Sequence, residues 1–236
     1  ARRTGIADWN ASHRFVKRGL GLVPVKFGIS FTASILNQAG ALVLVYRDGS
    51  VQVNHGGIDM GQGLRAKILG VAMRELGLPE ASIRVLFPST DKVPNTAPTA
   101  ASTGADMNGM AVRDACATLR ARIAEVVAEK LTGAAGRPIA AKDLRFEDAR
   151  VFVADAPALA MTFAEAAEAT FQARVSLEAT GYYRTPGVYL DRARGKGHPF
   201  HYFSLGCAVA EVEVDGSTGE TRVVSVDILH DVGDSL

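Results

Sequence analysis

The sequence predicts an α+β protein, with mixed and antiparallel sheets packed against helices, and three observations carry that prediction. Apolar residues flank a tight Asp-Gly turn in "ALVLVYRDGSVQVNH" (residues 41–55), the mark of a β-hairpin. They recur every three or four residues from Leu64 to Leu76 and again from Val112 to Val126, the mark of helices with one buried face. Hairpins and helices are interspersed without strict β-α-β alternation, which separates this class from a doubly wound parallel sheet.

Each element follows from local pattern. The first hairpin arm is apolar in both phases, so its sheet is expected to be covered on both faces. The first helix places Leu64, Ile68, Val71, Ala72 and Leu76 on one side and stops near Gly77, with Pro79 just beyond. "SIRVLFP" (82–88) reads as a short strand, and residues 89–109 form a polar loop long enough to be functional. A second helix runs to about Leu131, burying Val112, Cys116, Leu119, Ile123 and Val126. "TGAAGRPIAA" (132–141) breaks the pattern and is the expected subdomain boundary, dividing 1–135 from 136–236. Beyond it come a hairpin (144–153), an Ala-rich helix (163–171) and a strand (173–183). An exposed loop (186–199) and two long strands around "DGSTGE" (215–220) close the chain.

Composition excludes several function classes. Apolar content of 47% with 22% charged residues is that of a globular protein with a core. A formal net charge of +1 gives no reason to expect nucleic acid or an anionic membrane as partner. No apolar run reaches the ~20 residues of a membrane span. Two cysteines, Cys116 and Cys207, are too few for a disulfide framework, a zinc site or an iron–sulfur cluster of the chain's own. They read as buried thiols in a reducing cytoplasm. The first residues lack both the apolar core of a signal peptide and an initiator Met, so an internal piece of a longer chain is expected.

The stretch "NHGGIDMGQGL" (54–64) sets four glycines between a strand and a helix. Glycine weakens both neighbours, because it loses the most backbone freedom on folding. The usual return is backbone brought close to a ligand. Gly61 to Ala66 satisfies G-x-G-x-x-A, and Glu80 sits at a tolerable distance for a ribose contact, so a dinucleotide fingerprint is a candidate. That fingerprint belongs in a parallel β-α-β unit, whereas the strand before it is half of a hairpin. A glycine-lined helix start still exposes N–H groups and a positive dipole end that suit an anion. Thr103 to Asp106 fits a capping pattern at a second helix start, preceded by the small residues of "PTAAS" (98–102). Two such starts fit a large, flat, anionic cofactor. His55 and Asp59 are expected to hold the loop by hydrogen bonds, Arg184 to be an ion partner, and His230 with Asp231 to brace a loop. His198 and His201 match a metal pair in spacing alone.

The two segments "GALVLVYRDGSVQVNHGGIDMGQGL" (40–64) and "VPNTAPTAASTGADMNGMAV" (93–112) closely resemble the molybdenum-cofactor domain of the molybdenum hydroxylase (xanthine dehydrogenase/aldehyde oxidase) family, the bacterial large subunit of the xanthine dehydrogenase branch above all. So do "VPVKFGISFTASILNQAG" (23–40), "VSLEATGYYRTPG" (175–187), "PFHYFSLGCAVAEVEVDGSTGE" (199–220) and "DILHDVGDSL" (227–236), in colinear order, with the weakest match over 132–173. The resemblance implies a molybdopterin centre that hydroxylates a purine carbon next to nitrogen with water-derived oxygen, taking hypoxanthine and xanthine to urate.

By the same resemblance, Met60, Gly61, Gln62 and Gly63 contact the pterin and the metal's oxo face, with no metal ligand from the protein. Ala100, Ala101 and Ser102 line the cofactor, Thr103, Gly104 and Ala105 lie nearer its phosphate, and Phe31 with Thr32 meets the substrate ring. The family's general-base glutamate lies in a segment downstream of this chain, so no catalytic residue is expected here and the isolated chain is expected to be inactive. FAD and 2Fe-2S clusters are expected in other domains or subunits of the parent, an oligomer whose remaining large subunit and Fe-S/FAD subunit are partners of this chain. Two other readings stay open: an aldehyde oxidase or other heterocycle hydroxylase domain, and a non-catalytic pterin- or nucleotide-binding module.

Overall fold

The computed structural model describes residues 1–93 and 95–233. The chain divides into two compact units, one built from its two ends (1–29 and from Tyr202 on) and one from residues 30–201. The expected break at 132–141 falls inside the second unit.

In the first unit β1 (Val16–Ile29), β11 (Tyr202–Asp215) and β12 (Thr221–His230) form an antiparallel sheet in the order β1-β11-β12. The turn joining the last two works through Asp215, whose carboxylate accepts from the amides of Ser217 (2.7 Å) and Thr218 (3.2 Å). The helix α1 (Arg2–Ser12), which sequence periodicity does not announce, buries no residue. Polar contacts hold it instead. Asn10 exchanges two hydrogen bonds with the backbone of Arg18, and the Arg18 guanidinium lies 3.7 Å from the Trp9 ring centre. Glu213 bonds both Arg222 and Arg18, which hold its carboxyl below the usual range.

The second unit is built on a four-stranded sheet in the order β4-β3-β2-β8. Strands β2 (Gln38–Val45) and β3 (Val51–His55) are the expected hairpin, and β8 (Glu178–Arg184) adds antiparallel to β2. Ala41, Val43, Val45, Val51 and Val53 are buried, while Leu42 and Leu44 on the other face are half-exposed. One face of the sheet is therefore covered, and the second only in part.

The sheet's buried face carries α2 (Leu64–Leu76) and α3 (Gly104–Ala135). Leu64, Ile68, Ala72 and Leu76 form the buried stripe of α2, and Val71 lies at its margin. Helix α3 has 32 residues, about 48 Å of length, and buries Val112, Cys116, Leu119, Ile123 and Val126 as its spacing predicts. It starts at Gly104, inside the segment expected to be loop. Close packing of α3 on β8 needs glycine at 181, where a Cβ would lie 1.9 Å from the Ala111 carbonyl oxygen.

Strand β4 (Ile83–Val85) is shorter than expected and runs parallel to β3. Thus β3-α2-β4 is a parallel β-α-β unit, and the absence of that context is not the reason to set the dinucleotide fingerprint aside. The reason is the connection: eight residues separate His55 from Leu64, not the single tight turn that the fingerprint makes.

Packed onto the same core, β5 (Leu144–Glu147), β6 (Arg150–Val153) and β7 (Ala156–Thr162) make a three-stranded antiparallel meander, where a hairpin is expected. Helix α4 (Phe163–Gln172) follows, capped by Thr162 and Glu165. Residues 173–177, expected to begin a strand, instead end α4 and lead into β8. The exposed loop contains a small hairpin of β9 (Tyr189–Asp191) and β10 (Lys196–His198). Cys116 is buried, but Cys207 on β11 is only half-buried, contrary to expectation. Arg184 makes no ion pair among the described residues, also contrary to expectation. His230 lies 3.4 Å from Ser204, and Asp231 accepts from the Gly233 amide, as befits a loop brace.

These contacts set two glycines apart. Gly181→Ala is expected to lower unfolding stability by about 1–3 kcal/mol or more through overpacking. Gly133, in α3 with nothing within 4 Å of an added Cβ, should gain about 0.5–1 kcal/mol as Ala. Urea unfolding of the two variants checks both signs.

Candidate cofactor-binding site

Two corners of the second unit build the site: residues 56–63 between β3 and α2, and residues 95–103 leading into α3. They touch because glycine lets them. A Cβ on Gly56 would lie 2.2 Å from the Thr96 methyl, and one on Gly57 would lie 2.5 Å from Leu64 and 2.7 Å from the Asn108 amide. The Ile58 N–H then donates to Thr99 Oγ1 at 2.9 Å, tying corner to corner. Gly61 and Gly63 serve differently. Their φ values of +102° and +72° favour glycine, and nothing lies within 4 Å of an added Cβ. They turn the chain and leave open space beside it.

The first corner supplies its own anion. Asp59 Oδ1 accepts from the amides of Gly61 (3.0 Å) and Gly63 (3.3 Å), and Oδ2 from that of Arg65 (3.0 Å). The Arg65 and Gly61 amides hold the Asp59 carboxyl below its usual range. The expectation that the start of α2 offers free N–H groups to a ligand is therefore corrected in part: Asp59 occupies the Arg65 amide of the first turn and the two glycine amides before it. Gln62 is likewise engaged, accepting from Met60 N at 2.6 Å and donating to Ile58 O at 2.8 Å. His55 is buried, and its Nδ1 accepts from the Gly57 amide at 3.1 Å. The neutral ring therefore keeps its proton on Nε2. Burial pushes its pKa down, against a smaller upward pull from Asp59. His55 and Asp59 thus hold the loop, as expected.

The second corner is the opposite. Thr103 precedes α3 but makes no side-chain cap; its hydroxyl donates back to Ala100 O at 3.0 Å. The capping pattern read between Thr103 and Asp106 does not form at that threonine, because the hydroxyl is spent on the turn. The first-turn amides of Gly104 and Ala105 thus have no Thr103 cap, and a helix's first turn has no backbone partners for them. Ala101 (φ 53°) and Ser102 (φ 56°) are consecutive non-glycine residues in the left-handed region, a strain that clusters at ligand sites.

Between the corners lies a cavity of about 420 Å³, in the size range of small-molecule sites. Met60, Gln62, Leu64 and Lys67 form one wall, and Thr99, Ala100, Ser102, Gly104 and Ala105 the other. Of the residues expected to hold a cofactor, Met60, Gln62, Ala100, Ser102 and Gly104 are thus in the wall. Gly61, Gly63, Ala101 and Thr103 shape the corners behind it. Sequence reasoning missed Lys67, the wall's cation, although its place one turn into α2 on the side of Gly63 was the available signal. It also missed Thr99 as the tie.

Phe31 and Thr32 stand apart from the wall. Phe31 is half-buried against Ala39, Ala97 and Met107, and so packs behind the second corner, while Thr32 is exposed. A larger open groove of about 980 Å³ lies at the other end of α2, near Gly77 and Phe146. It lacks the paired corners and their open glycines.

The wall contains one cation and no carboxylate, thiolate or imidazole. Among the described residues no cluster of three or more His, Cys, Asp or Glu could hold a metal. The open space and the single cation of the wall suit an organic, anionic body. Molybdopterin fits this donor set, with Gly61 and Gly63 leaving room for its bulk.

Fold and site together define a domain for holding an anionic organic cofactor. The chain belongs to the molybdopterin cofactor-binding domain family, which it matches over residues 1–236. It is 43% identical to xanthine dehydrogenase/oxidase of Gallus gallus over 236 residues, covering 100% of this chain and 15% of that protein. Against xanthine dehydrogenase of Oryza sativa subsp. japonica the identity is 43% over 234 residues, with 99% and 15% covered. The chain thus spans about 15% of the length of these relatives. Quinoline 2-oxidoreductase from Pseudomonas putida 86 superposes with a TM-score of 0.81 at 25% identity, covering 98% of this chain and 29% of that one. Carbon monoxide dehydrogenase from Oligotropha carboxidovorans shares the fold, with a TM-score of 0.79, 20% identity and coverage of 98% and 28%.

Asp59→Ala should speed amide hydrogen exchange at Gly61, Gly63 and Arg65 while leaving the core of α3 unchanged. For His55 the folded pKa lies below the ordinary 6.5, so on acidification the unfolded chain takes up a proton first. Stability should be level in pH above about 6.5 and fall below it, until the folded value is reached. His55→Gln should remove that part of the slope in a urea-midpoint series.

Proposed function

We propose that this chain is the cofactor-holding part of a xanthine dehydrogenase-like molybdenum hydroxylase. The whole protein oxidises purines, hypoxanthine and xanthine to urate, with oxygen drawn from water. The observation that carries the reading is the convergence of two corners, one built on glycines and one on small residues, on one cavity, in a chain 43% identical throughout to a xanthine dehydrogenase/oxidase. When bound, the molybdopterin centre supplies the redox metal that takes up the substrate's electrons.

The chain's residues do the positioning. Met60 to Gly63 face the cofactor from one side, with Gln62 fixing the loop through the Met60 amide and the Ile58 carbonyl. Ala100, Ala101 and Ser102 face it from the other, with Thr103 and Gly104 near its anionic end. Lys67 adds positive charge to the same wall. Phe31 meets the edge of a flat heteroaromatic ring, a contact that orients without fixing polar groups, and Thr32 lies beside it. Asp59, the carboxylate of the first corner, is a poor base, because three amides stabilise its charged form. By the resemblance to the family, the general base comes from another part of the protein, and this chain alone does not turn over.

FAD and 2Fe-2S clusters reside in other domains or subunits of an oligomeric, cytoplasmic parent. The likeness to quinoline 2-oxidoreductase favours a second reading, a hydroxylase of another nitrogen heterocycle.

In the intact protein, urate should form from xanthine faster than quinoline is hydroxylated, and the isolated chain should form none; the reverse preference would select the second reading. Lys67→Ala should weaken retention of molybdopterin about tenfold, the loss of one charge-assisted contact, measured as pterin released per polypeptide. Unchanged retention would remove Lys67 from the site.

A further inference from the structure

We infer that Asn37 is a positioning residue for Phe31, setting the ring against the substrate; the inference rests on the reading of Phe31 as a substrate contact. Asn37 is 1% exposed, a buried polar side chain on a short connection between β1 and β2. Its Oδ1 accepts from Phe31 N at 2.8 Å and its Nδ2 donates to Phe31 O at 2.9 Å. One amide side chain thus meets both polar groups of one residue's backbone, as a neighbouring strand would.

Asn37 is itself held. Its N–H donates to Ser34 O at 3.0 Å, and its carbonyl accepts from Thr185 N at 3.1 Å at the end of β8. The residue before Phe31 adds a second mark of constraint. Ser30 is buried with φ at +135°, and its hydroxyl accepts from His201 N at 3.3 Å. A non-glycine residue in that region persists only when its surroundings over-determine it, and the clamp on the next residue is part of that surrounding. Phe31 packs against the buried cluster of Ala39, Ala97 and Met107, the last two belonging to the second corner and the first turn of α3. Phe31 is therefore fixed at its backbone by Asn37 and packed against a buried cluster that includes residues of the second corner and α3.

Loss of the clamp leaves the Phe31 amide and carbonyl without partners and frees Ser30 to relax, so the ring moves. A displacement of about 1 Å at a positioning group can cost up to about a hundredfold in rate.

The test uses the intact holoenzyme, with kinetics expressed per molybdenum site loaded. Phe31→Leu, Asn37→Ser, Asn37→Asp and the double variant Phe31→Leu/Asn37→Ser are assayed with xanthine. Asn37→Asp keeps the acceptor for Phe31 N, loses the donor to Phe31 O, and serves if Asn37→Ser does not load. The expected result is a KM raised about tenfold by Asn37→Ser, less by Asn37→Asp, and no further by the double variant than by Phe31→Leu alone, since coupled residues are not additive.

A merely structural role lowers loading and Tm but leaves KM per loaded site unchanged. That outcome, with Phe31→Leu still raising KM, overturns the role of Asn37 and leaves Phe31 standing. No effect of Phe31→Leu overturns the reading of Phe31 and with it this inference.

Discussion

The hydrogen bond from the Ile58 amide to the Thr99 hydroxyl holds the site together. It joins two loops that are distant in sequence, and it forms because Gly56 and Gly57 let the first loop lie against Thr96 and Asn108. Any side chain at those glycines would push the corners apart. Behind the contact, Leu64 opens the buried stripe of α2 and Met107 sits in the first turn of α3, so each corner is backed by core. The cavity is thus shaped before any ligand arrives, which reduces the ordering cost of binding.

The corners differ in charge. At α2 the protein's own Asp59 takes the Arg65 amide of the first turn and the Gly61 and Gly63 amides before it. At α3 the Thr103 hydroxyl turns back into the loop. The dipole of a helix start favours an anion in both places, and at the α3 end the Thr103 hydroxyl does not cap the first turn. Lys67 lies on the α2 wall and adds a cation there. Such an arrangement gives an anionic body a preferred direction in the cavity.

Much of this was legible in the sequence, and the physical reasons are local. Helices α2 and α3 declare themselves because their buried residues repeat at the helical period, and the β2-β3 hairpin because Asp48-Gly49 marks its turn. The glycines of 56–63 point to close approach, though half of that approach is to protein and half to open space. Helix α1 was not legible, since polar contacts hold it and leave no apolar stripe. Nor was the pairing of β3 with β4, which is set by packing across α2 and not by either strand's pattern. The two units also escape composition, because one of them is assembled from opposite ends of the chain. Asn37 reads as an ordinary polar residue until its backbone partners are seen.

Asp59 shows most clearly why residue type alone misleads at a site. By sequence it could do chemistry or hold the loop. Its three amide partners select the last, and they depress the basicity that the first would need. Gln62, in the cavity wall, also bonds the loop with both ends of its amide.

The most direct test is an electron-density map of the intact protein with its cofactor bound. The account predicts molybdopterin in contact with residues 60–63 and residues 99–105 at once, its anionic end toward α3. A cofactor touching one corner alone, or lying in the groove near Gly77 and Phe146, would contradict it.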